Sequence, residues 1–412
     1  NFYGKNKALA VYKTALTDAN LRSLTYPSAV ATTFDLNFNT IAEDFTFTRG
    51  SEATFVNAQG LIQSTASNDA PRLDYSTGAK AFLLEQQSTN LVTYSEDLSN
   101  FSKTNITEVD GNQVTPNGTV GSIKITPTSS AITQLQISSL TVGASYSFSF
   151  FVKKAEASNL IINQAGSAGQ RVSYNIDNLT YIGIAGVDTN IVSYGNGWVR
   201  IEYSVNSLTY NNIRIVLSNG TNVYPYNPPI GDGLYLWGFQ LEQNSFSTSY
   251  IPTSGASATR NQESCNNATP VINSEEGTLY FEASALVDEN DRRISLSDGS
   301  LNNYVSIGYS RFTGNIVGEI FSNGVSQNLN WGATGITQIN NNKFALSWGN
   351  GTMKFYVNGI QTLTTTITSP IGMNVLNFTA GNNALTMYAN TKDLKVYPKA
   401  LADVQLQDLT TI

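Results

Sequence analysis

Lys354-Phe-Tyr-Val-Asn-Gly-Ile-Gln361 places an alternating strand pattern on each side of an Asn-Gly pair. Asn-Gly supplies the two positive-φ residues that a two-residue type I′ turn requires, so this stretch predicts a β-hairpin. Five further Asn-Gly pairs begin at Asn117, Asn196, Asn219, Asn323 and Asn350. Between them, period-2 alternation dominates. Thr-Leu-Tyr-Phe-Glu-Ala-Ser-Ala-Leu (278 to 286), Trp-Val-Arg-Ile-Glu-Tyr-Ser-Val (198 to 205) and Tyr-Ser-Phe-Ser-Phe-Phe-Val (146 to 152) read as strands by alternation and by β-branched and aromatic content. Many short strands with regular turn signals predict an all-β protein of tandem antiparallel β-sandwiches, with short terminal helices.

The helices belong to a doubled phrase. Residues 394 to 410 (Leu-Lys-Val-Tyr-Pro-Lys-Ala-Leu-Ala-Asp-Val-Gln-Leu-Gln-Asp-Leu-Thr) are echoed by residues 9 to 25 at a constant offset. Leu9, Val11, Tyr12, Ala15, Leu16, Asp18, Leu21, Leu24 and Thr25 fall on Leu394, Val396, Tyr397, Ala400, Leu401, Asp403, Leu406, Leu409 and Thr410. Each copy reads as a strand, a turn and a short helix capped by Asp18 or Asp403. Residues 1–25 are therefore expected to end a preceding domain, without a core of their own, in a chain that is a C-terminal piece of something longer.

Residues 26–90 carry strand pieces too few to bury a core, and are expected to lie on a neighbouring domain or on other copies of the chain. Residues 91–252 form a first full β domain. Its strand Gly233-Leu-Tyr-Leu-Trp-Gly-Phe-Gln-Leu-Glu242 is apolar on both faces, with Leu234 and Leu236 on one side and Tyr235, Trp237, Phe239 and Leu241 on the other. Such a strand is covered on both sides. Residues 253–274 read as a linker and 275–412 as a second β domain.

Composition excludes several functions. Charged residues make up 13% of the chain and the net charge is −7 without a basic cluster, whereas a nucleic-acid partner needs a Lys/Arg footprint. No apolar run reaches the ~20 residues of a membrane helix. Histidine is absent, which removes the commonest general base and His-ligated metal sites. Cys265 is the lone cysteine and is given no role.

Phe47-Thr-Arg-Gly-Ser-Glu-Ala-Thr-Phe-Val56, Pro71-Arg-Leu-Asp-Tyr75, Leu83-Leu-Glu-Gln-Gln-Ser-Thr-Asn-Leu91, Leu236-Trp-Gly-Phe-Gln-Leu-Glu242 and Ser249-Tyr-Ile-Pro-Thr-Ser254 follow one another in this order. Together they resemble a module of bacteriophage tail-fibre and receptor-binding virion proteins. The middle domain resembles a carbohydrate-binding-module jelly roll, and the C-terminal one is similar to concanavalin A-like (laminin G-like) lectin domains. The resemblance implies a non-enzymatic, homotrimeric fibre segment on an extracellular virion. Its partners would be a host surface glycan and other virion tail proteins. The alternatives are a purely structural head or neck fibre, and a polysaccharide depolymerase.

Sugars present apolar C–H faces that pack on aromatic rings, while amides and hydroxyls fix their orientation. The candidate carbohydrate-binding residues are Tyr224 and Tyr226 with Asn222 and Asn227, then Trp331, then Tyr304. Trp198, Trp237 and Trp348 sit inside strand patterns and are expected in cores. Arg49, Arg72 and Arg260 are expected to lock residues 26–90 against the jelly roll or a neighbouring subunit. Asp288-Glu-Asn-Asp291 lacks cation-binding spacing and is followed by Arg292-Arg293, so it reads as a solvated turn. No cofactor and no metal site is expected, and the paired carboxylates of a hydrolase are not evident.

Overall fold

The computed structural model describes residues 15, 32–34, 41 and 43–412, except 166–169, 221–225, 227, 289–290, 313 and 331–334. The doubled phrase at residues 9 to 25 thus lies outside the described residues, apart from Ala15. The described residues form an all-β protein of two antiparallel sandwiches with a short helix at the C-terminus.

The C-terminal sandwich pairs an eight-stranded sheet with a five-stranded one. In the larger sheet Gly277–Ala285 lies between Asn342–Gly349 and Ala389–Tyr397, and the 354–361 hairpin closes one edge through Thr352–Val357 and Ile360–Thr366. Asn358 and Gly359 have φ of 49° and 79°, as the turn demands. Alternation sends Leu279, Phe281 and Ala283 into the core between the sheets and Tyr280 to the outer face. There the helix Asp403–Thr410 covers Tyr280, Ala345 and Tyr356 with Leu406 and Leu409. Asp403 is not its cap. The N-cap is Ala402, whose N–H donates to Gln405 Oε1 (3.0 Å), while Asp403 sits in the first turn and takes a 2.6 Å bond from Lys354 Nζ.

The middle sandwich is built of two six-stranded sheets. One runs Val187–Ser193, Trp198–Val205, Tyr146–Lys154, Leu234–Glu242, Ile123–Pro127, Ile106–Asp110. In its strand Leu234–Glu242 the expected sorting of faces fails part-way. Leu234, Leu236, Phe239 and Leu241 all enter the main core, and Trp237 turns to the opposite side. Gly238, at φ 67°, sits where the pairing with Tyr146–Lys154 slips by a bulge, which inverts the parity of the residues that follow. A Cβ there would stand 2.8 Å from the Phe151 ring.

The described part of residues 26–90 finds its core in both sandwiches. Ala81–Leu83 and Arg72–Asp74 extend the eight-stranded sheet, and Phe45, Phe47, Phe82 and Leu84 enter the C-terminal core. Val56 and Ile62 cover Trp198, Trp237 and Phe151 on the outside of the middle sandwich. The stretch expected as a linker is built in as well. Ala258–Arg260 pairs with Ser88–Asn90 and Ser264–Asn266 with Thr46–Thr48, which buries Cys265 in the C-terminal core. Local composition, rich in Ser, Thr and Ala, hides these pairings because their partners lie some 170 to 220 residues away. Burial pushes the Cys265 thiol well above the ordinary range, so it stays an un-ionised packing residue.

The arginines do lock these segments. Glu263 accepts from Arg49 Nη1 (2.9 Å) and Arg72 Nε (2.8 Å), and pairs with Arg72 Nη2. Glu85 accepts from Arg72 Nη1 (2.7 Å), Arg260 Nη1 lies 3.0 Å from it, and Ser249 supplies its N–H and Oγ (2.8 and 2.6 Å). All five charged side chains are buried. Burial by itself would raise the Glu85 carboxyl, but Arg260 and Arg72 outweigh it and hold the group down at about 2.

Candidate functional site

Trp198–Val205 alternates so that Val199, Ile201, Tyr203 and Val205 face the core and Trp198, Arg200, Glu202 and Ser204 face out. That outward row passes from apolar to polar along the strand. Trp198 lies under Val56 and Ile62, Arg200 is buried, and Glu202 reaches the open end. The neighbouring edge strand Val187–Ser193 sets Asp188 opposite Ser204 and Asn190 opposite Glu202. The result is a polar face left uncovered by the described part of residues 26–90.

This face forms one wall of a cleft of about 750 Å³. The opposite wall comes from the C-terminal sandwich through Leu286, Val287, Asp288 and Ile339, and Ser245–Ser247 with Phe246 runs between them. Tyr181, on the edge strand Thr180–Ile182 of the second sheet, stands at the rim with 47% of its surface exposed and its ring 6.3 Å from that of Tyr174. The cleft thus offers aromatic and apolar surface beside carboxylates, amides and hydroxyls.

Glu202 is the electrostatic centre of the wall. Its Oε1 lies 3.3 Å from Arg200 Nη1, and its Oε2 accepts from Asn190 Nδ2 at 3.3 Å. Arg200 is held by Ser149 Oγ (3.0 Å) and the Thr248 carbonyl (2.6 Å) and lies over the Phe151 ring. Burial opposes its charge, but Glu202 and Tyr194 more than offset this and raise its pKa. Behind Glu202, Ser247 and Leu286 a smaller chamber of about 140 Å³ continues inward, lined by Asp74, Tyr194, Arg200 and Asn390 among others. Burial pushes the Tyr194 hydroxyl up to about 12, so it serves as a neutral hydrogen-bonding group. Arg200 Nε and Asn390 Oδ1 are buried without a hydrogen-bond partner.

Of the residues singled out by sequence, Tyr226 and Tyr304 lie elsewhere. Asn222, Tyr224, Asn227 and Trp331 are outside the described residues. Tyr226 is 5% exposed, packed on Ile161 and Val216, with Asn163 Nδ2 donating to its hydroxyl at 3.3 Å. Tyr304 is equally buried, stacked 4.7 Å from Phe321 and donating to Glu319 Oε1 at 3.0 Å. Neither ring presents an open face, because each fills space beside a neighbouring strand. Trp198, Trp237 and Trp348 are core residues as expected. Asp291 accepts from the Arg311 N–H, and among the described residues there is no group of three potential metal ligands. The polar outward row at Asp188, Asn190, Glu202 and Ser204 was detectable as the off-core half of two alternating strands.

No protein-family model matches the chain, and no curated protein matches it. Among solved structures it is similar to the CBM40 of Ruminococcus gnavus IT-sialidase bound to α2,3 sialyllactose. That match has 17% identity and a TM-score of 0.28, over 34% of this chain and 84% of that one. Mouse laminin α1 chain domains LG4-5 match at 8% identity and TM-score 0.23, over 66% of this chain and 89% of that one. A tail fiber protein from an E. coli phage matches at 10% identity and TM-score 0.21, over 78% of this chain and 41% of that one. Likeness at this level concerns fold alone, and the two sandwiches stand on their own sheets.

Proposed function

We propose that the protein is a non-enzymatic polysaccharide-binding segment of a phage tail fibre, and that the cleft between its sandwiches holds the glycan. The observation that carries this reading is the exposed Tyr181 ring beside Asp188, Asn190 and Glu202 in a cleft of about 750 Å³. Its size lies within the ~300–1,000 Å³ of ligand sites, and a ring flanked by orienting polar groups suits a sugar face. The ordered motifs that resemble tail-fibre modules support the virion and host-attachment part. Display on a homotrimer would raise avidity by ~10² to 10⁴ even where each site is weak.

A glycan array probed with the full chain, followed by adsorption of the parent particle in the presence of excess free chain, tests the proposal. Binding to an envelope glycan together with blocked adsorption supports it. Adsorption that proceeds unhindered through another protein refutes the receptor role. A purely structural role has its own supporting observation, the buried Arg49, Arg72, Arg260, Glu85 and Glu263 cluster that ties distant segments together as a spacer would need. Under that reading the array stays blank and deletion leaves adsorption unchanged.

A further inference from the structure

The charges around the cleft are one-sided. Asp188, Glu202 and Asp288 line it, and no lysine or arginine does so among the described residues. In the inner chamber Glu85 is offset by Arg72 and Arg260, and Glu202 by Arg200, which leaves Asp188 and Asp288 of the cleft and Asp74 of the chamber outside any ion pair among the described residues. The Arg200 guanidinium is already committed to Glu202, Ser149 and the Thr248 carbonyl, and only its Nε lacks a partner. Asp188 is exposed, and Asp288 accepts one backbone bond from Gln338 (3.1 Å). A saccharide carrying carboxylate or sulfate would enter this field against like charge, whereas an ammonium group would be drawn to it.

The chamber supplies the second half of the argument. Arg200 is 7% exposed, and its unpartnered Nε is a donor, while the buried Oδ1 of Asn390 in the same lining is an acceptor. Buried polar groups are nearly always satisfied, so a donor and an acceptor left open in one small chamber call for a group that can serve both. A hydroxyl does so and a carboxylate does not, since it only accepts.

Resting on the glycan reading of the cleft, we infer that the site takes an amine-bearing saccharide of the hexosamine class, with one sugar hydroxyl directed to Arg200 Nε and Asn390 Oδ1, and rejects uronates. The probes are three trimers of equal length, of glucosamine, of N-acetylglucosamine and of galacturonate, titrated into the full chain at mildly acidic pH. At about 0.01 M salt, where the Debye length is ~30 Å, the glucosamine trimer should bind roughly tenfold tighter than its N-acetylated counterpart. The galacturonate trimer should be roughly tenfold weaker than the neutral one under the same conditions. At about 1 M salt, where the Debye length is ~3 Å, the three should converge.

Asp188→Asn with Asp288→Asn should close the gap at low salt, read as the ratio of the glucosamine-trimer to the N-acetylglucosamine-trimer affinity measured on the same variant. Neither change removes a packing contact, and the amide introduced by Asp288→Asn would keep the oxygen that Gln338 uses, so the variant should fold. Equal or tighter binding of galacturonate, or a preference untouched by the two substitutions, overturns this inference alone. If none of the three trimers binds, and no neutral glycan on the array does, the glycan reading of the cleft falls and this inference falls with it.

Discussion

Glu263→Gln probes the buried cluster with the least change of shape. The carboxylate accepts from four N–H donors, namely Arg49 Nη1, Arg72 Nε and Nη2, and the Glu85 backbone. An amide in its place keeps one oxygen but turns an NH₂ toward donors, and it removes the carboxylate that Arg49 pairs with and leaves Glu85 to face Arg72 and Arg260. Both Glu263 and Arg72 are fully buried, so water cannot substitute. Removing one partner of a buried pair costs about 3–5 kcal/mol. For a domain of this size each kcal/mol lowers the midpoint by ~2–4 °C, so the expected fall is about 6–20 °C. Calorimetry on the full chain reads it, with Lys154→Gln as control. Lys154 pairs with Asp177 in the open, where the loss is at most about 1 kcal/mol. A Glu263→Gln midpoint within about 2 °C of the native protein would show that the cluster does not hold these segments together.

Acid should release the same cluster. Glu85 is held at about 2 against an ordinary 4.5, so its contribution is complete above about 4.5 and lost as the pH falls toward 2, about 3 kcal/mol in all. Urea midpoints measured from pH 6 downward should therefore fall across that window, and a flat profile contradicts the assignment. Gly318→Ala would set a Cβ 2.6 Å from the Phe355 ring between the two C-terminal sheets, at a cost of about 1–3 kcal/mol by chemical denaturation. Adding Phe355→Leu should restore part of the loss, and no restoration would place the strain elsewhere. Tyr181→Ala removes the exposed rim ring, and should weaken glycan binding about tenfold on surface plasmon resonance while leaving the melting midpoint unchanged.

Much of the fold was legible in local patterns. At the pairs beginning with Asn196, Asn323, Asn350 and Asn358 both residues have positive φ, as predicted from the dipeptide alone. The alternation of residues 278 to 286 and 198 to 205 sorted core from surface correctly. The parity of Leu234–Glu242 was not legible, because a bulge at one glycine inverts faces without changing composition. Nor were the partners of residues 26–90 and 253–274, since short strands of three residues carry little periodicity and pair across most of the chain. The arginines could be read as locks because buried charge demands partners, although Glu85 and Glu263 could not be named. The cleft escaped for a related reason. Its walls come from Asp188, Glu202 and Asp288, which only the packing of two sandwiches brings to one space.

The most direct test of the account is isothermal titration of the full chain with an oligosaccharide from the host envelope, beside the Tyr181→Ala, Asn190→Ala double variant. The account predicts measurable binding to the native protein and at least a tenfold loss in the variant, with both proteins unfolding at the same temperature. Undiminished binding in the variant would place the glycan site elsewhere on the molecule and contradict the role assigned to the cleft.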